Sequence, residues 1–115
     1  MTETSLQKKA ITVLNELTDI MMSRRNATPE SSYVAQLLHA GEDKILKKVI
    51  EEAGEVLMAS KDGDKAHLIK EVADLWFHTM VLLTYHELQV DDVCNELQQR
   101  QHVSGLTEKA NRKPQ

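Results

Sequence analysis

The fold is decided between Asp43 and Leu83, in the stretch DKILKKVIEEAGEVLMASKDGDKAHLIKEVADLWFHTMVLL. Apolar residues recur at helical spacing on both sides of the polar triplet Asp62-Gly63-Asp64, and no proline interrupts them. Ahead of the triplet, Ile45, Leu46, Val49, Ile50, Ala53, Val56 and Leu57 fill one side of a helix predicted over Glu42 to Lys61. Beyond it, Leu68, Ile69, Val72, Leu75, Trp76, Thr79, Leu82 and Leu83 cover a broad side of a helix predicted from Lys65 to about Glu87. Ala73, Phe77, Met80 and Val81 carry that apolar surface around the back, so the second helix is expected to be buried on most sides. Two long helices joined by so short a turn form an antiparallel hairpin.

Working outward, Leu6, Ala10, Val13, Leu14, Leu17, Ile20 and Met21 describe a first amphipathic helix from about Ser5 to Ser23. Arg24 to Ser32 is polar, contains Pro29 and reads as a loop, with Ser31 or Ser32 capping a short helix over Tyr33 to Ala40. Gly41 ends or bends that helix. Asp91 is the expected cap of a last helix reaching about Gln101. The fold class is therefore all-α, a helical bundle built on the hairpin. Residues 1–101 read as one domain and residues 102–115 as a polar C-terminal tail.

Composition agrees. A chain of 115 residues has room for one core. Its 41% hydrophobic and 28% charged residues are ordinary for a globular protein. Four aromatics, Tyr33, Trp76, Phe77 and Tyr85, are few for an all-β core. The lone Cys94 excludes an internal disulfide and a cysteine-based zinc site. No apolar run approaches the ~20 residues of a membrane span, and Met1 to Lys9 has no apolar signal core, so a cytoplasmic setting is expected. A net charge of -4 disfavours a dedicated nucleic-acid binder.

The informative residues are the hairpin's carboxylates. At ~100° per residue, Glu51 and Glu55 lie about 40° apart away from the apolar face, while Glu52 stands at its border, about 20° from Ile45. Lys48 is an i,i+4 partner for Glu52. On the second helix, Glu71, Asp74 and His78 form a narrow polar stripe flanked by apolar residues, and Asp74 is the only charged residue from Val72 to Leu83. The turn brings Glu71 and Asp74 opposite Glu52 and Glu55. Facing carboxylates repel unless a cation separates them, and buried ones must be paired or coordinate a metal. Basic partners are available in Lys47, Lys48, Lys61 and Lys70. Mg²⁺ suits an all-oxygen set better than zinc or di-iron, because it takes carboxylates and substrate phosphates in octahedral geometry. Paired E-x-x-[ED] motifs on facing helices are one way to build such a site in a bundle.

The motif Glu52-x-x-Glu55 followed by Glu71-x-x-Asp74 resembles the MazG-type all-α nucleotide pyrophosphatases. Ser32-Tyr33, Leu37-Leu38, Gly41, the string from Asp43 to Asp64 and EVADLWFHTMVLL from Glu71 to Leu83 narrow this further. Together they resemble the phosphoribosyl-ATP pyrophosphatase family over about Leu6 to Arg100. Ile50 is a departure, since the family often has glycine there. The resemblance implies hydrolysis of the α–β phosphoanhydride of phosphoribosyl-ATP, the second step of histidine biosynthesis. It implies that Glu52, Glu55, Glu71 and Asp74 hold Mg²⁺. Glu51 would then be a further ligand or the group orienting the attacking water, which places Glu51 and Glu52 as catalytic residues. Lys47, Lys48 and Lys61 are the candidates for substrate phosphate contacts. Arg24 and Arg25 read as surface arginines before ribose-phosphate ligands, and His78 as a hydrogen-bonded histidine before a base.

Two other readings share the same residues: a pyrophosphatase of other nucleoside triphosphates, and a helical interaction module whose acidic stripe is paired internally. Trp76 and Phe77 are expected in a core or an interface. Gly54, unfavourable by ~1 kcal/mol relative to alanine inside a helix, suggests close approach of another helix. Met58 on the exposed side of its helix, with Phe77 and Val81 on the back of theirs, leaves more apolar surface than one short chain can cover. A homodimer is therefore expected.

Overall fold

The computed structural model describes residues 5–101, with side chains from Val13 to Gln101. Five α-helices follow in order: α1 (Ser5–Ser23), α2 (Tyr33–Ala40), α3 (Glu42–Asp62), α4 (Lys65–Tyr85) and α5 (Val90–Arg100). Two 3₁₀ turns, Arg24–Asn26 and Pro29–Ser31, link α1 to α2. No strand occurs among the described residues, and none of their helices is long and apolar enough to cross a membrane. The predicted tail over residues 102–115 and the side chains of Leu6 and Ala10 lie outside the described residues.

Local chemistry sets the boundaries. The Ser32 hydroxyl accepts the Ala35 amide at 3.0 Å and starts α2. Gly41 (φ 104°) separates α2 from α3, and Gly63 (φ 78°) ends α3, both in backbone regions that L side chains rarely adopt. Asp64 Oδ1 then accepts the His67 amide at 3.1 Å and starts α4 at once, which closes the hairpin. At the far end of α4 the Leu88 amide donates to the Leu83 carbonyl at 2.8 Å and Glu87 to Thr84 at 3.0 Å. This helix stop usually carries glycine at its left-handed position, here filled by Glu87 (φ 61°). One expected cap is corrected. Asp91 does not begin α5; Asp92 Oδ2 accepts the Gln89 amide at 2.8 Å.

The core lies where α1 and α2 cross the hairpin. Met21, Val34, Leu37, Ile45, Met80 and Val81 are its buried residues, with Leu14, Leu17, Leu38, Phe77, Leu82 and Val90 packed around them. The sequence reading put Val81 on the back of α4, yet it is fully buried. Conversely, only Ile45 of the α3 apolar face is fully buried, and Ile50 and Leu57 are 73% and 59% exposed. Nor is α4 covered on most sides: Ile69 is 70% and Trp76 59% exposed. The reason is geometric. α1 and α2 cover one flank of the hairpin, and among the described residues the apolar positions of the other flank stay exposed. Among the described residues Gly54 meets no other helix, since a Cβ built there touches nothing within 4 Å.

Candidate metal centre

The hairpin register brings the carboxylates level. Glu52 lies eleven residues before Gly63 and Asp74 eleven after it; Glu55 and Glu71 lie eight before and eight after. Level residues converge only if both point inward. Glu52 (α3), Glu71 and Asp74 (α4) do: each offers a carboxylate oxygen, and these oxygens all lie within 4.8 Å of one another. Glu55 is outside that set and its residue is exposed. The wheel explains why, because Glu55 is rotated about 60° from Glu52. Glu52 and Glu71 keep only 12% and 15% of their side-chain surface, whereas Asp74 opens to solvent.

Two basic side chains border the cluster. Lys48 Nζ stands 3.6 Å from Glu52 Oε1 and 3.6 Å from Glu51 Oε2, the i,i+4 contact expected from sequence plus a second one. Tyr33 first, and then Glu51 and Glu52, hold the Lys48 ammonium above its ordinary value of 10.5, against a lowering by burial. Lys48 is therefore charged throughout the physiological range. His67 was missed by the sequence reading. Its Nε2 lies 3.1 Å from Glu71 Oε1, and because an ionised carboxylate only accepts, that nitrogen carries the proton. The signal was present in the i,i+4 spacing of His67 and Glu71. Lys47 and Lys61 are exposed on α3.

His78 is buried behind Asp74 with both ring nitrogens engaged. Nδ1 donates to the Asp74 carbonyl at 2.8 Å, which leaves Nε2 to accept the Tyr33 hydroxyl, also at 2.8 Å. The same Tyr33 ring stacks on Phe77 at a centroid distance of 6.2 Å. Nε2 thus ties α2 to α4 and Nδ1 fixes the ring on its own helix, which suits a structural histidine and leaves neither nitrogen for proton transfer. Arg25 belongs elsewhere. It pairs with Glu87 at 2.6 Å, roughly 20 Å along α4 from Asp74 at 1.5 Å per residue.

The donor set fits Mg²⁺. Glu52, Glu71 and Asp74 would hold such an ion, their oxygens already lying within 4.8 Å of one another. All donors are hard oxygens, and the exposed Asp74 edge leaves positions for water or phosphate.

Comparison with known proteins places the chain among relatives of one name. Residues 14–101 match the family model described as phosphoribosyl-ATP pyrophosphohydrolase. A relative in Chromobacterium violaceum, named phosphoribosyl-ATP pyrophosphatase, is 66% identical over 102 residues, covering 89% of this chain and 94% of its own. One of the same name in Neisseria gonorrhoeae is 66% identical over 100 residues, covering 87% and 94%. A third, in Nitrosospira multiformis, is 54% identical over 101 residues, covering 88% and 84%.

Proposed function

The chain belongs to the phosphoribosyl-ATP pyrophosphohydrolase family, and from that premise we propose how its hairpin carries out the reaction. The protein hydrolyses phosphoribosyl-ATP to phosphoribosyl-AMP and pyrophosphate in histidine biosynthesis, working in the cytoplasm. Glu52, Glu71 and Asp74 would hold Mg²⁺, with Glu55 completing the set from the next turn of α3. The observation that carries this is the convergence of three carboxylates from two helices within 4.8 Å. When bound, the metal would neutralise triphosphate oxygens and lower the pKa of a bound water. Glu51, at the edge of the cluster, orients the attacking water and accepts its proton. Lys47, Lys48 and Lys61 bind the outer phosphates and the departing pyrophosphate. The decisive assay is pyrophosphate release from phosphoribosyl-ATP, ATP and dCTP, with and without Mg²⁺. Strong preference for phosphoribosyl-ATP and loss of turnover in chelator are expected; equal rates on ATP or dCTP would move the chain to the broader pyrophosphatase reading.

Stability separates a metal site from an internally paired acidic stripe. His67 and Lys48 only partly compensate the cluster, and a solvent-accessible pair such as His67–Glu71 contributes about 0–1 kcal/mol. Glu71→Gln removes that pair but also relieves repulsion, so its melting temperature in chelator should stay close to the parent's. Breaking a true buried ion pair would instead destabilise by about 3–5 kcal/mol. A metal at 100 times its dissociation constant adds roughly 2.7 kcal/mol to the parent, and it should add much less to Glu71→Gln. A large loss in chelator with no metal response in the parent would favour the interaction module.

The uncovered flank of the hairpin is the surface for a second copy of the chain. Leu46, Ile50, Ala53 and Leu57 of α3 and Ile69, Ala73 and Trp76 of α4 are all exposed and share helical spacing. Gly54 lies in the same α3 stripe, with free space above it for an approaching helix. Pairing two hairpins through these faces completes a bundle that one chain leaves half built.

A further inference from the structure

The two carboxylates that the hairpin buries most each have a basic side chain four residues ahead on their own helix. Lys48 stands before Glu52 and His67 before Glu71. Their contacts differ in kind. The His67 contact, at 3.1 Å, is a directed hydrogen bond. Lys48 stands at 3.6 Å from two separate carboxylates, longer than the 2.7–2.9 Å of a docked charge-assisted bond. Its ammonium is shared between Glu51 and Glu52 and held tightly by neither, and 30% of its side-chain surface faces solvent. It is placed to leave.

We propose that Lys48 is the resident counter-ion of this centre, displaced from Glu52 when a divalent cation binds and then free to take a substrate phosphate. The inference rests on reading Glu52, Glu71 and Asp74 as metal ligands. In the metal-free protein, one ammonium offsets part of the repulsion among the converging carboxylates, so the hairpin closes without an ion. A dication drawn to the same Glu52 carboxylate repels that ammonium, so the two compete. Because linkage is reciprocal, a lysine expelled by the metal must weaken metal binding by the same factor. An anionic phosphate reverses the sign, since it gives the displaced ammonium a new partner beside the metal. The metal alone is then bound weakly, and the metal with a polyphosphate strongly.

The test is Mn²⁺ binding to the substrate-free protein, by titration calorimetry or electron paramagnetic resonance, with and without pyrophosphate. Lys48→Met and Lys48→Gln, both compatible with a helix, should bind Mn²⁺ alone about five- to tenfold more tightly than the parent. Lys48→Arg keeps the charge and Lys44→Met removes one a turn away on an exposed position, so both should stay within about twofold of the parent. With pyrophosphate present the order should invert, the parent retaining Mn²⁺ better than Lys48→Met. Unchanged or weaker Mn²⁺ binding in both neutral Lys48 variants overturns the proposal, as does equal tightening in Lys44→Met, which would point to the overall field of the protein. Failure of the order to invert with pyrophosphate also overturns it. No Mn²⁺ binding by the parent overturns the metal reading itself and this inference with it.

Discussion

Asp74→Asn and Glu52→Gln should each lower kcat for pyrophosphate release at least about a thousandfold, because each removes a charged ligand from a site whose metal supplies several kcal/mol of transition-state stabilisation. Every 1.36 kcal/mol is a factor of ten in rate, so about 4 kcal/mol accounts for the loss. Neither replacement removes a packing group. Asp74 is exposed, and the amide introduced by Glu52→Gln matches the native carboxylate in size. Circular dichroism should therefore show unchanged helicity, and any variant that loses helicity is not a test of chemistry. Glu55→Gln should lose less, about tenfold, since Glu55 stands outside the three converging carboxylates and would add only a further ligand to them. Turnover within about threefold of the parent in both Asp74→Asn and Glu52→Gln would remove the carboxylate cluster from the mechanism.

Ile50→Asp should abolish the proposed dimer, leaving a monomer at concentrations where the parent is expected to pair. Ile50 is the most exposed large apolar residue of α3 and stands mid-way along its uncovered stripe. In a two-fold assembly the aspartate enters the apolar contact twice, and each unpaired charge removed from water destabilises the contact by several kcal/mol. A weakening of about 4 kcal/mol already raises the dissociation constant roughly a thousandfold. Sedimentation equilibrium on both proteins reads the result directly. A parent that sediments as a monomer, or an Ile50→Asp variant that remains a dimer, would show that the exposed flank serves something other than self-association. Trp76→Asp on α4 should behave like Ile50→Asp, because the same face spans both helices.

Much of this was legible in the chain. Periodicity located all five helices, and the Asp62-Gly63-Asp64 turn fixed the hairpin to within a residue or two. Helix spacing is a local property, and each turn residue acts through its own backbone, so neither needs the rest of the molecule. The acidic motifs were legible for the same reason: register about Gly63 follows from counting. The α5 cap was misplaced because the helix begins earlier than Asp91: Gln89 is the N-cap, and Asp92, three residues on, reaches back to its amide.

What the sequence determined by itself is the helical hairpin, the pairing in height of Glu52 with Asp74 and of Glu55 with Glu71, and the apolar faces of both helices. Tertiary structure decided how each helix is rotated about its axis. A wheel gives angles between residues of one helix, but it does not say which apolar edge the remaining helices will cover. Packing of α1 and α2 against one flank drew Val81 fully inside and left Leu57 and Trp76 in the open. That same rotation aimed Glu52 at Glu71 and Asp74, turned Glu55 outward, and set Lys48 between two carboxylates. Side-chain convergence depends on these rotations to within a few tens of degrees, and they are fixed by contacts between residues far apart in the chain.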